Sequence, residues 1–273
     1  MKIPRAHALA IRGLCVHAAL LSTLLMATLD ARAGTLAFSD YCNSEGKNCS
    51  IQYSGRIVKT DIEKLRKALK DAESRPNFNR QIHLNSKGGD LNAALEIGKL
   101  IRTHDLTTVV LDECFSSCVI AFAGGVWRSA VVEAFGVPFA KIGIHRPFST
   151  GQATSVAERR KEFGILAELV KTFLREGGVS ERLWEDMVRI PPEHMRLLSQ
   201  EEALDYGLVG KDPAYADYVD SQEARRYGLS KTEYLKRKAM LKELCDSDLQ
   251  VLSDRTGKSL ARCREDVFRG RFP

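Results

Sequence analysis

Apolar positions change their spacing several times between Ile51 and about Gly210. The run "IQYSGRIV" (51–58) alternates as a strand or hairpin does. The segment after it puts Ile62, Leu65 and Leu69 on one helical face, behind Thr60 and Glu63 in capping-box spacing. "RQIHLN" (80–85) predicts a short strand, "SKGGD" (86–90) a turn, and Leu91, Ala94, Leu95, Gly98 and Ile101 a helix. The β-branched run "LTTVVL" (106–111) predicts the next strand, "SSCVIAFAGG" (116–125) the next helix, and "KIGIHRP" (141–147) a strand ended by proline. Strand and helix in alternation argue for an α/β fold with a mostly parallel sheet and right-handed crossovers.

A long helix is predicted from Ser155, with Glu158 completing a capping box and Phe163, Leu166, Val170 and Phe173 forming its buried stripe. It stops at Gly177 and Gly178. A short capped helix follows from Ser199, with Gly207 as its left-handed terminator. Beyond Lys211 the composition turns charged and helical, which marks residues 212–273 as a small helical C-terminal appendage.

The N-terminus has a pattern of another kind. Lys2, Arg5 and Arg12 precede the apolar stretch "LCVHAALLSTLLMATL" (14–29), and "ARA" ends at Ala33, which together predict an export signal over 1–33 cleaved after Ala33. The apolar stretch falls short of the roughly 20 residues of a spanning helix. The expected location is therefore periplasmic or secreted, with an irregular segment over 34–50 and the main domain over 51–211. The chain's formal charge of +6 includes four cations and one acid of the signal, so the mature chain keeps +3, too little to argue for a nucleic-acid partner.

Export changes how the cysteines are read. Cys15 leaves with the signal, and Cys42, Cys49, Cys114, Cys118, Cys245 and Cys263 remain as three sequence-local pairs, an even set that favours disulfides. Cys42 is expected to pair with Cys49, and Cys245 with Cys263. Cys114 and Cys118 either form a bridge, if the chain is non-helical up to Ser116, or pack as two buried thiols. The spacing of cysteines and histidines gives no support for a metal site, and no cofactor motif is present.

In a parallel sheet functional groups collect at the carboxyl ends of strands. Three such junctions carry chemistry: Gly88 and Gly89, Ser116 and Ser117, and His145. A serine at a helix start next to free backbone N–H groups suits a nucleophile with an oxyanion site, and His145 suits its base. Each of these has a plainer reading as well: a helix cap for the serines, a packed strand end for His145 and a simple turn for the glycines.

"LNSKGGD", "SSCVIAFAGG", "IGIHRP" and "LLSQEEALDYGLV", in this order over about 130 residues, resemble the proteolytic subunit of the Clp protease and its exported bacterial relatives. The resemblance implies the Clp/crotonase fold, a stack of ββα units, and serine peptidase chemistry on a peptide or protein substrate. It also implies a homo-oligomer. It places the nucleophile at Ser116, the base at His145, and the oxyanion donors on the backbone of Gly88 or Gly89 and of Ser117. Where the family carries its third, acidic residue this chain reads "PPEHMRLLS", with Met195 at the matching place and Glu193 nearby as a possible substitute. Loss of that acid costs about 10⁴ in turnover in other triads. The chain also lacks a G-x-x-x-x-G-K-[ST] motif, and with export an ATPase partner is not expected. Three readings follow: an ATP-independent serine peptidase with a Ser-His dyad or incomplete triad, a catalytically impaired scaffold or binding protein of the same fold, and, third, a crotonase-type enzyme of acyl thioesters.

Overall fold

The computed structural model describes residues 33–39, 49–75, 77–134, 137–147, 155–245 and 256–271. The expected signal segment lies outside them apart from Ala33, as does Cys42. The chain divides after Gly210 into two compact units.

The first unit begins with β1 (Thr35–Phe38), β2 (Cys49–Ser54), α1 (Asp61–Glu73), β3 (Phe78–Asn85), α2 (Leu91–Thr103) and β4 (Thr107–Val110). It continues with β5 (Glu113–Phe115), α3 (Cys118–Phe122), β6 (Trp127–Ala130), the paired β7 (Glu133–Ala134) and β8 (Val137–Pro138), and β9 (Lys141–Ile144). α4 (Val156–Glu176), α5 (Arg182–Arg189), β10 (Arg196–Leu197) and α6 (Gln200–Asp205) complete it, and β11 (Gly210–Lys211) falls at the division. The main sheet runs β1-β2-β3-β4-β6, with the two-residue β11 beyond β6. β2, β3, β4 and β6 pair in parallel and β1 is antiparallel to β2. A second sheet has the order β10-β9-β5. This is a mixed α/β architecture, in line with the α/β class expected from the sequence. Its core is one continuous apolar cluster that includes Ile51, Ile82, Leu84, Ile101, Val119, Ile142 and Leu183.

The apolar spacing sets most of these elements, and side chains set their ends. Asp90 caps α2 by accepting the Ala93 N–H at 2.8 Å. Ser155 accepts from Glu158 N at the start of α4, and Ser199 and Glu202 form a full capping box on α6, which ends at Gly207 with φ +66°. α1 differs from expectation. Thr60 has helical backbone and makes no side-chain cap, and the neighbouring Asp61, the first helical residue, bonds groups outside the first-turn amides. The Asp61 carboxylate is wholly buried; it accepts from Val58 N, Gly34 N, Tyr53 Oη and Lys64 Nζ. Burial, followed by the hydrogen bond to Asp61, pushes the Tyr53 phenol far above its ordinary range.

α3 is short, and the chain just beyond it packs against α2. A Cβ on Gly124 would stand 2.2 Å from Gly98 O, so just past the helix end the two backbones touch and only glycine fits. The stripe predicted on α4 is buried only in its second half: Val170, Phe173 and Leu174 are buried, Phe163 and Leu166 are half-buried, and Ile165 and Leu169 are exposed.

The second unit contains α7 (Pro213–Arg226), α8 (Lys231–Cys245) and α9 (Thr256–Phe268). Its small core stacks Tyr227 and Tyr234 on Phe268, with ring centroids 5.0 and 4.7 Å apart. Lys238 is ion-paired with Asp220, and Cys245 is bonded to Cys263 with their Cα atoms 5.9 Å apart. In a unit this small the bond stands in for missing apolar area. No helix among the described residues is long and apolar enough to cross a membrane.

Candidate active site

Three segments far apart in sequence meet around β5, the strand that the hydropathy pattern does not announce. "LTTVVL" was expected to lead straight into the serine-bearing helix, but its strand β4 ends at Val110, and Glu113–Phe115 forms a separate strand in the second sheet. β5 is gripped on both sides. On one side it pairs with β9, Phe115 opposite Gly143; on the other, Ser86 N donates to Glu113 O and Phe115 N donates to Ser86 O, both at 2.9 Å. Ser116 N then donates to Gly143 O at 2.8 Å. The ends of β3, β5 and β9, carrying Gly88 and Gly89, Ser116 and Ser117, and His145, are thereby fixed side by side.

At Ser116 the chain turns from strand to helix within one residue. Its φ is +56°, the left-handed region, which costs a serine about 1 kcal/mol or more. Surrounding structure holds this conformation: the Ser116 N–H bond to β9 on one side, and on the other the disulfide between Cys114 and Cys118, whose Cα atoms are 5.3 Å apart. The bridge is the outcome expected for a chain that is non-helical up to Ser116. Both sulfur residues are fully buried. Cys49 is also disulfide-bonded, while its expected partner Cys42 lies outside the described residues.

The two serines have different surroundings. Ser116 Oγ makes no hydrogen bond among the described residues, and Ser116 lines a cleft of about 830 Å³ together with His145, Lys87, Gly89 and residues of α4. Ser117 is 3% exposed, and its hydroxyl accepts the Gly89 N–H at 2.8 Å. Gly88 N–H is likewise taken up, donating to Ser86 Oγ at 3.0 Å. Ser86 was not anticipated from the sequence; a polar residue at a strand end has no local signal for this role. The amide of Ser117 itself, at the start of α3, carries no hydrogen bond among the described residues. It lies close to Gly88, where a Cβ would stand 3.1 Å from Ser117 N and 2.8 Å from Ser116 Cβ. A backbone carrying a side chain would not fit here.

His145 is buried, 7% exposed, directly after β9, and its Nδ1 lies 2.9 Å from Arg146 O. A carbonyl oxygen can only accept, so Nδ1–H is the donor in this contact. β10 pairs with β9 so that Arg196 faces Ile144 and Leu197 faces Gly143; one step further puts Met195 opposite His145. The Met195 side chain reaches back over Gly143 beside Phe115. Glu193 is exposed, lies outside the lining of the cleft, and makes no ion pair or hydrogen bond among the described residues.

A left-handed serine at a strand-to-helix turn, a buried histidine after β9 and a glycine turn beside a helix start thus stand together on an α/β scaffold. Residues 37–212 match the Clp protease family, and the chain belongs to that family. Among its relatives is the ATP-dependent Clp protease proteolytic subunit 1 of Corynebacterium glutamicum, 27% identical over 141 residues that cover 49% of this chain and 64% of that protein. The chain thus spans somewhat less than two thirds of that relative's length.

Proposed function

We propose that the protein is an exported serine peptidase acting on peptide or protein substrates without an ATPase, with Ser116 as nucleophile and His145 as general base. The observation that carries this reading is the left-handed Ser116, its hydroxyl in the same cleft as a histidine whose Nδ1 is committed to Arg146 O. His145 Nε2 takes the Ser116 proton as Oγ adds to the substrate carbonyl, and returns it to the leaving amine; water then repeats the sequence to release the acyl group. The Ser117 N–H receives the developing oxyanion, and the N–H of Gly88 or Gly89 joins it by exchanging its hydroxyl acceptor for the substrate oxygen. The disulfides and the N-terminal pattern support export to the periplasm or beyond, and family membership supports self-association.

A second reading, a non-catalytic binding protein on the same scaffold, draws on the Ser86 and Ser117 hydroxyls that occupy both glycine amides. Fluorophosphonate labelling and peptide hydrolysis by the exported protein separate the two. The unmodified chain and Ser117→Ala should label, whereas Ser116→Ala and His145→Ala should not. Labelling that persists in Ser116→Ala and is lost in Ser117→Ala moves the nucleophile to Ser117. An unmodified chain that neither labels nor cleaves leaves the binding reading.

A further inference from the structure

The cleft beside Ser116 is lined by four cationic side chains, from Arg56, Lys59, Lys87 and Arg159, against two carboxylates, Asp90 and Glu162. One of the carboxylates is already engaged, since Asp90 Oδ1 caps α2 through Ala93 N. Arg56, Lys59 and Arg159 form no ion pair and no side-chain hydrogen bond among the described residues. Lys87 is 80% exposed and reaches Glu113 only at 4.0 Å. Like charges around a concave, partly apolar wall focus a positive potential into the cleft, and their mutual repulsion is relieved by an anionic occupant.

Two exposed apolar side chains of α4, Ile165 at 56% and Leu169 at 49%, line the same cleft. An occupant that covers them must be part apolar. Lys87 stands next to Gly88 in the chain, which places one of the cations beside the turn that meets the Ser116 backbone.

Resting on the peptidase reading for its chemistry, we infer that the site selects acidic peptide segments, with Asp or Glu side chains within a few residues of the scissile bond and an apolar side chain seated on Ile165 and Leu169. Lys87 is the specificity-determining residue nearest the bond, and Arg56, Lys59 and Arg159 draw the flanking acids. The chain's own mild net charge makes this a property of the cleft rather than of the whole surface.

The test separates binding from cleavage. Three fluorescent decapeptides with the same apolar residues and with acidic, neutral or basic flanks are titrated into full-length Ser116→Ala by anisotropy, and offered as substrates to the unmodified chain. The acidic peptide should bind about tenfold tighter than the neutral one at low salt, and the advantage should shrink toward physiological salt as charges are screened. The double variant Lys87→Glu with Arg56→Glu, both at exposed positions, should reverse the order. Equal binding of the three, a preference for the basic peptide, or an unchanged order in the double variant overturns the inference. So does a DNA oligonucleotide of equal charge that outcompetes the acidic peptide. If the unmodified chain cleaves none of the peptides while Ser116→Ala still ranks them acidic first, the peptidase reading falls and the acidic-peptide site stands.

Discussion

The hydroxyl of Ser117 holds the backbone of Gly89, accepting its N–H at 2.8 Å across 28 residues of sequence. The contact ties the glycine turn after β3 to the start of α3 and is buried on the Ser117 side. Removing it leaves a donor without its acceptor, which costs about 1–2 kcal/mol. Ser117→Ala should lower stability in urea by that amount yet keep fluorophosphonate labelling, and Ser117→Thr should recover most of the loss. Abolished labelling in a folded Ser117→Ala would assign the hydroxyl a direct part in the chemistry.

Gly88 has the harder constraint. Its φ is +91°, and a Cβ would stand 2.7 Å from Phe115 O and 2.8 Å from Ser116 Cβ. Neither neighbour is the tip of a flexible chain, so the turn or the nucleophile must shift. Gly88→Ala should therefore cost about 2–3 kcal/mol from backbone strain alone, before any clash, and remove detectable turnover. A Gly88→Ala protein with near-normal stability and activity would show that the oxyanion turn lies elsewhere.

How far these relationships were legible in the sequence depends on what holds each element. α2 could be read from its apolar stripe, α4 from a stripe and the cap at Ser155, and α6 from the capping box at Ser199 and its terminator Gly207. Gly88, Ser116 and His145 were legible as strand-end residues and as pieces of a family pattern. β5 was not, because three residues carry no period; its strand form comes from Ser86 on one side and β9 on the other. Thr60 misled for a related reason: its capping signal is local, but Asp61 gathers four donors from Gly34, Tyr53, Val58 and Lys64, and that tertiary network overrides it. The cations of the cleft come from positions 56 to 159, and no window of sequence contains them together.

His83 gives the first unit a measurable pH response. It lies in the central strand β3, between Gln52 of β2 and Val109 of β4, and burial lowers its pKa from the ordinary 6.5. The unfolded chain then binds a proton at His83 where the folded chain does not. Stability should be level above about pH 6.5 and fall as pH drops below it, the slope ending once the folded protein also takes up the proton. Urea midpoints between pH 5 and 7.5 for the unmodified chain and His83→Gln test this; an equal slope in the variant would place the effect in another group.

The bond between Cys114 and Cys118 spans Ser116, whose backbone is left-handed and whose hydroxyl is the proposed nucleophile. Closing so short a loop stabilises by only about 2 kcal/mol in the chain-entropy model. Its larger consequence is geometric: the bond joins the end of β5 to the first turn of α3, so Ser116 cannot relax toward an ordinary helical φ without moving both. Small displacements at a reacting centre cost rate out of proportion to stability. The paired substitution Cys114→Ala with Cys118→Ala should therefore lower the melting temperature modestly, leave KM nearly unchanged, and reduce kcat by about ten- to a hundredfold when assayed well below the melting transition. Matched small residues avoid leaving one unpaired thiol in the core. If kcat holds while stability drops, the bond is a staple only, and the left-handed turn is maintained by Gly143 O and the Gly88 contact without it.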